Sequence, residues 1–360
     1  MTDAKVPLPT LLSADGDPGA QVPVLSPDFA SESLSVYAVR HGLRPSAERP
    51  PVVVYVAELW RRRHFVMAFA TARNIAMYTE AKLGQIWQVL TPLLNAGVYF
   101  LIFGLLLDIN RGIPNYLAFL VTGVFVFNFT QRAFITTSSV ITESLPLIRA
   151  LQFPRAALPL AYVVVELEQM ALAMAVLVAI VLATGEPITW YWLLVIPALL
   201  LQTVFNIGIG LFAGRLGSQV NDFSQLLPFL MRTWLYLSGV LFSIQNLDLS
   251  TSSHVPAWAV PVLASNPAAV YIDLVRNSIM ASQRLSAAGS QPYNAARCGL
   301  WQHAVTSSSA VPPSLQYDSA YCHAQVAVAH FWYYGIGWAA LALVVGFFFF
   351  WRAETRYGRG

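Results

Sequence analysis

Six stretches of this chain are long and almost uninterruptedly apolar, with charge mostly at their edges rather than inside: 84–107, 116–140, 157–184, 188–214, 224–246 and 329–351. A hydrocarbon core takes about 20 apolar residues per helical crossing, and each stretch reaches that length. Lipid offers no partner to an unpaired backbone group, so stretches of this kind must be helical. The pattern predicts an all-α integral membrane protein with six transmembrane helices.

Three amphipathic or punctuated segments sit between these stretches. Over 52–82 the pattern predicts a helix lying along the membrane surface. Glu58, Arg61 and Arg62 share one face with Arg73 near it, and Val56, Trp60 and Met67 lie opposite. Such a helix suits either an interfacial anchor or a docking surface for a partner. Between the second and third crossings, Pro146, Pro154 and Pro159 bound a short helical piece with an apolar edge of Leu147, Ile148 and Leu151. That edge fits insertion into a partner's groove, or a tight turn packed on its own helix ends. Over 255–279, Pro256, Pro261 and Pro267 interrupt an apolar run. Short re-entrant helices in the outer leaflet fit that punctuation, with a surface loop as the alternative.

Composition agrees. The hydrophobic fraction is 56% and the charged fraction 11%, against about 25% charged in soluble domains. A net charge of +3 is too small to point to nucleic acid. The only lysines, Lys5 and Lys82, lie outside any Gly-Lys-Ser/Thr context, so the chain carries no phosphate-cradling loop. Residues 1–51 are rich in proline, lack a secretory signal's apolar core, and read as a disordered tail ahead of the 52–82 helix and a transmembrane region over 83–360.

Basic residues set the expected orientation. Arg61, Arg62, Arg63, Arg73 and Lys82 precede the first crossing, Arg149 and Arg155 follow the second, Arg215 follows the fourth, and Arg352, Arg356 and Arg359 follow the sixth. Both termini are thus expected in the cytoplasm, with the 5–6 segment and its 281–328 insert outside. Cys298 and Cys322, the only cysteines, both fall there. On an oxidising face they suit a disulfide across a loop with little core of its own, with two free thiols as the alternative.

Charges inside crossings are functional suspects. Arg132 and Glu166 each lie eight positions from the cytoplasmic ends taken at 140 and 158, about 12 Å deep. Equal depth and opposite sign predict an ion pair between Arg132 and Glu166, or Glu168. Arg232 suits either snorkelling to the interface or an anionic group on a substrate. Deep aromatic residues, among them Tyr99, Phe103, Phe125, Phe129, Trp234 and Tyr236, suit helix packing singly and a sugar-stacking path as a set. No paired carboxylates or clustered histidines suggest catalysis or a metal site, so an enzyme acting on lipid-linked sugars is disfavoured.

Tyr78, Leu83, Gly84, Trp87, Pro92 and Phe103-Gly104, then Leu147-Ile148, Phe153-Pro154-Arg155 and Leu158-Pro159, then Asp222 and Asn266-Pro267 before Arg276, occur in an order that resembles ABC-2-type polysaccharide exporter permeases. The resemblance covers 56–280 and 329–360, and the C-terminal WRAETRYGRG looks like actinobacterial members that export cell-wall galactan. One departure is Arg73-Asn74, where many members have Arg-Asp. The resemblance implies a homodimer in a bacterial plasma membrane with two separate P-loop subunits that carry ATP and Mg, and no cofactor on this chain. It implies ATPase coupling through Arg61, Arg62, Arg73, Leu147, Ile148, Arg149, Leu151, Phe153, Pro154 and Arg155. It implies entry of a polyprenyl-diphosphate-linked glycan near Lys82, Leu83, Gly84 and Trp87, and passage along the aromatic path. A small-molecule, drug or lipid exporter of the same superfamily is the alternative.

Overall fold

The computed structural model describes residues 50–79, 84–106, 115–151, 153–220, 222–244, 259–280 and 313–354, of which 313–330 are described as backbone alone. The expected tail over 1–49, the Lys82-Leu83 pair and the Cys298–Cys322 bridge lie outside the described residues or side chains.

Among the described residues every regular element is helical. In chain order these are α1 (Val52–Arg61), α2 (Arg63–Thr79), α3 (Trp87–Tyr99, continuing as a π-helical segment Phe100–Leu106), α4 (Tyr116–Glu143), α5 (Leu145–Ala150), α6 (Ala157–Ala183), α7 (Val195–Gly217, led in by a 3-10 turn Trp190–Leu194), α8 (Phe223–Leu237), α9 (Ala259–Ala264), α10 (Pro267–Ile279) and α11 (Pro313–Trp351). Five segments are long and apolar enough to cross a membrane: Val89–Leu106, Tyr116–Glu143, Ala157–Ala183, Trp190–Gly217 and Phe331–Trp351. The chain is a multi-pass membrane protein.

The fifth apolar stretch differs from its expected crossing over 224–246. It forms α8, a 15-residue helix, about 22 Å long and short of the ~30 Å hydrocarbon core. The chain leaves the helix at Ser238 and turns through Gly239, whose φ of 67° is a left-handed conformation that suits glycine. The carbonyls exposed by this break are taken up by Arg276 of α10. Its guanidinium donates to Gly239 O at 2.8 Å, Val240 O at 2.9 Å and Phe119 O at 3.0 Å, and lies over the Phe119 ring. The helix expected over 52–79 is also interrupted, at Arg62 (φ −90°, ψ 10°), which separates α1 from α2.

Helix α4 is the central element, and most of its residues are buried against α6, α7, α8 and α10. The ends of the bundle follow from its cross-links. Arg73 lies 3.6 Å from Glu143, Ser138 Oγ donates to Ser224 Oγ, and Arg215 faces the Phe349 ring. The last residues of α4, α7 and α11 and the first of α6 and α8 thus gather at one end, here called the basic end. At the other end Tyr116 OH donates to Leu241 O. There Asn115, itself left-handed, caps α4 and donates to Thr184 Oγ1 and Glu186 Oε1. Against α11, which descends toward the basic end, Ser265 O meets Trp338 Nε1 and Tyr271 OH meets Gly335 O. Ser265 therefore lies deeper than Tyr271, and α10 rises back toward the far end. Asn266 fixes this reversal by capping α10 at Ala268 N and accepting from Trp234 Nε1 at 2.7 Å.

Gly210 and Gly214 of α7 pack on Thr137 of α4, but the closest approach is elsewhere. Gly208 and Gly346 let α7 and α11 cross backbone to backbone, and a Cβ on either would overlap the other helix. Gly208→Ala or Gly346→Ala should lower stability by about 1–3 kcal/mol through overpacking, read as a fall in the thermal unfolding midpoint of the purified protein. Gly97→Ala, inside α3 with nothing near its Cβ position, should leave that midpoint the same or raise it.

Candidate functional site

The basic end is built from three segments remote in sequence. Tyr55 of α1 reaches inward, 1% exposed, and its hydroxyl donates to Glu354 Oε2 at 2.9 Å while accepting from Ala156 N–H at 3.1 Å. Glu354, just past α11 and 8% exposed, also accepts from Arg155 N–H at 3.0 Å, and the Arg155 guanidinium donates to its carbonyl. Trp351 Nε1 donates to Pro50 O. Burial pushes the Glu354 carboxyl above the usual carboxylate range, and the hydrogen bonds from Arg155 and Tyr55 pull it partly back. Tyr55, Ile148, Ala156, Leu158, Phe350 and Ala353 close one apolar cluster around these bonds.

This arrangement redistributes the residues assigned to partner docking. Ile148 is turned inward, 7% exposed, Pro154 is buried, and Phe153 packs on Phe65 of α2. Leu147 is half-buried. The surface left open consists of Arg149 and Leu151 on α5, with Leu151 49% exposed, and the Arg61-Arg62-Arg63 corner between α1 and α2. Arg62 pairs loosely with Glu58. Arg155 is committed to Glu354, and Arg73 to Glu143 and the Tyr162 ring at 4.1 Å.

Helix α2 runs alongside α6 instead of across its end. Val66 and Ala70 pack on Ala157, Ala161 and Val165, and further along Thr71 Oγ1 and Asn74 Nδ2 each donate to Glu168 at 2.9 Å. Glu168, one of the two partners expected for Arg132, is thus engaged by α2. Arg132 Nη1 donates to Gln169 Oε1 at 2.8 Å. Arg132, Gln169 and Glu166 line one cleft between α3, α4 and α6, with Pro92, Phe125, Asn128, Phe129, Met170 and Ala173. Phe125 and Phe129, expected on an open path, are packing residues there, 2% and 3% exposed.

The other aromatic residues divide by face. Tyr99 and Phe103 of α3 are half-buried neighbours, 6.4 Å between ring centres. Tyr99 lies within electrostatic reach of Arg232 and Tyr236, both exposed on α8. Trp234 is held by Asn266 and packs edge-on against Phe127. Gly84 has a φ of 51° at the turn that leads into α3, and Trp87 is exposed beside it.

One feature was not singled out from sequence. Asn128, Gln131, Ile135, Ser139 and Thr142 recur at helical spacing on α4, and all are partly or fully exposed. Phe127, Phe134 and Ser138 place α8 on one side of this stripe, and the cleft beside Pro92 places α3 on the other. The stripe holds two amides, two hydroxyls and Ile135, has the partly exposed Arg132 at its edge, and runs between α3 and α8. The spacing was readable in the sequence, but an apolar average over the crossing hides it.

The ABC-2 type transporter family model matches residues 65–279. The chain belongs to the ABC-2 type transporter family. Among similar proteins, the O-antigen export system permease protein RfbA of Myxococcus xanthus is 24% identical over 193 residues, 54% of this chain and 74% of that protein. The protein of the same name from Klebsiella pneumoniae is 25% identical over 214 residues, 58% of this chain and 79% of that one. The chain is thus a transport subunit, a permease.

In this permease the Asn74 amide supplies a donor that an aspartate could not. Asn74→Asp would set two carboxylates together. It should cost about 2–3 kcal/mol, visible as a larger drop in thermal midpoint than Asn74→Ala gives. Arg132→Ala removes the donor to Gln169 Oε1 and the positive charge that shares a cleft with buried Glu166, and should cost about 1–3 kcal/mol. Adding Glu166→Gln should recover part of that loss in the same unfolding assay.

Proposed function

We propose that this permease is the membrane half of an ATP-driven exporter of a lipid-linked polysaccharide. Two copies form the path, and two separate P-loop ATPase subunits dock at the basic end, which faces the cytoplasm. The excess of arginine at that end supports the orientation. The exposed Arg61-Arg62-Arg63 corner and the Arg149–Leu151 tip of α5 are the surfaces that receive the ATPase. Helices α9 and α10 form the re-entrant pair at the exit, inside the outer leaflet, and α8 belongs to the fifth of six crossings.

The observation that carries the substrate class is the row of amides and hydroxyls on α4, Asn128, Gln131, Ser139 and Thr142. A glycan presents many hydroxyls and apolar ring faces. It is served by neutral hydrogen-bonding groups and aromatic faces that favour no single sugar. The names of the relatives, which are O-antigen export permeases, support the same reading. A polyprenyl-diphosphate anchor entering beside Gly84 and Trp87 would keep its lipid in the membrane while the sugars follow the stripe. A cell-wall galactan is the glycan that the C-terminal resemblance favours. ATP closure of the docked subunits favours one of two arrangements of the helices, and differential affinity for them drives the cycle.

The test is reconstitution of the permease with a P-loop ATPase drawn from the same source's glycan-assembly machinery. A stable complex whose ATP hydrolysis rises severalfold with lipid-linked glycan is expected. Stimulation by small apolar drugs and none by glycan would transfer the chain to the small-molecule exporters. Bond cleavage by the isolated permease would end the transport reading.

A further inference from the structure

We propose that Glu354 is a positioning residue for energy coupling: its buried carboxylate clamps the start of α6 to α1, so that both ATPase-facing surfaces move as one body with the end of α11. This rests on the reading that a separate ATPase docks at the basic end. The two surfaces there come from different parts of the chain, the arginine corner between α1 and α2 and the tip of α5. Apolar contacts hold each of them to the bundle, and α2 is also bonded to α6 through Thr71 and Asn74 and to the end of α4 through Arg73. The link that joins α1 to the segment after α5 is the Glu354 knot. One carboxylate oxygen accepts from Tyr55 of α1 and the other from the backbone of Arg155, which follows α5. The Tyr55 hydroxyl closes the triangle on Ala156 N–H, and the Arg155 guanidinium returns to the Glu354 carbonyl. Tyr55 and Glu354 are almost fully shielded from water, so solvent does not compete for these bonds.

The knot also ties the surfaces to a long lever. Glu354 follows α11, which crosses α7 at Gly208 and Gly346 with no side chain between the backbones. A displacement imposed on α1 or α5 is therefore delivered to α6 and α11 together. With the knot cut, the docked ATPase can close while α1 slides on its apolar bed and the bundle stays put.

The test uses the complete permease–ATPase complex in vesicles with lipid-linked glycan. Tyr55→Phe removes one hydroxyl, and Glu354→Gln leaves one acceptor oxygen for two donors. Neither residue lies on the exposed docking surface. Both variants should assemble at the wild-type subunit ratio and hydrolyse ATP within about twofold of wild type. Glycan moved per ATP should fall about tenfold, the scale of one or two lost buried hydrogen bonds. The double variant should fall no further than the worse single one, as members of one unit do. An unchanged ratio in both variants would overturn the clamp. So would a loss of transport matched in both by loss of assembled complex, because a brace needed only for folding lowers both together. Absence of ATP-driven transport by the wild-type complex would overturn the export reading and the clamp with it.

Discussion

A peptide group left without a partner in hydrocarbon costs several kcal/mol, and three departures from helix among the described residues carry their own remedy. The break after α8 exposes the carbonyls of Gly239 and Val240, and Arg276 covers both while bridging to Phe119 of α4. Tyr116 covers Leu241 in the same way. At the reversal between α9 and α10, Asn266 caps the new helix and accepts from Trp234. A guanidinium suits the first position because its five donors fan out in one plane. A lysine would reach one carbonyl and leave others bare. The short α8 and the rising α10 are therefore one construction, tied to α4 through Arg276 and Tyr116.

Several polar side chains inside the bundle follow the same rule. Gln202 of α7 donates to Val126 O and Thr130 Oγ1 of α4, Arg132 to Gln169, and Thr71 and Asn74 to Glu168. Each link joins two helices, and together they fix how the helices are rotated about their axes. Apolar packing alone sets that weakly, since lipid tails are as apolar as leucine. The glycine crossing of α7 and α11 supplies what polar links cannot, a contact close enough to couple the two backbones.

Much of this was legible in the sequence because membranes impose length. Five crossings, the helix at 145–150 and the short helices around Pro267 follow from apolar run length and proline punctuation. What periodicity could not show is which polar residue meets which. Equal depth put Arg132 beside α6, but Glu166, Glu168 and Gln169 are all within one turn of that height, and rotation decides among them. Leu147 and Ile148 illustrate the same gap. Their spacing marks an apolar edge, but it does not tell whether the edge faces a partner or the permease's own core, and Ile148 faces the core. Glu354 was hidden for a different reason. A lone acid in a charged C-terminal run looks like a solvated residue until its two partners, some 200 and 300 positions earlier, fold onto it.

Arg232 bears on where the water runs. It is exposed on α8, nine positions from the start of that helix, about 13 Å along it. An arginine facing hydrocarbon at that depth costs about 2.5 kcal/mol or more, and α8 offers no compensation from its own sequence, since its charged residues among 223–237 are Arg232 alone. The face that carries Arg232 and Tyr236 is also the one within electrostatic reach of Tyr99. A guanidinium, two phenols and a row of amides and hydroxyls turned to one side make poor lipid contacts and good contacts for water or sugar. The apolar residues exposed elsewhere on α3, such as Leu94, Leu101 and Leu105, make the opposite surface. The two faces of the α3–α4–α8 wall are thus chemically distinct, and under the proposed export function the more polar one is the side offered to a hydrated chain.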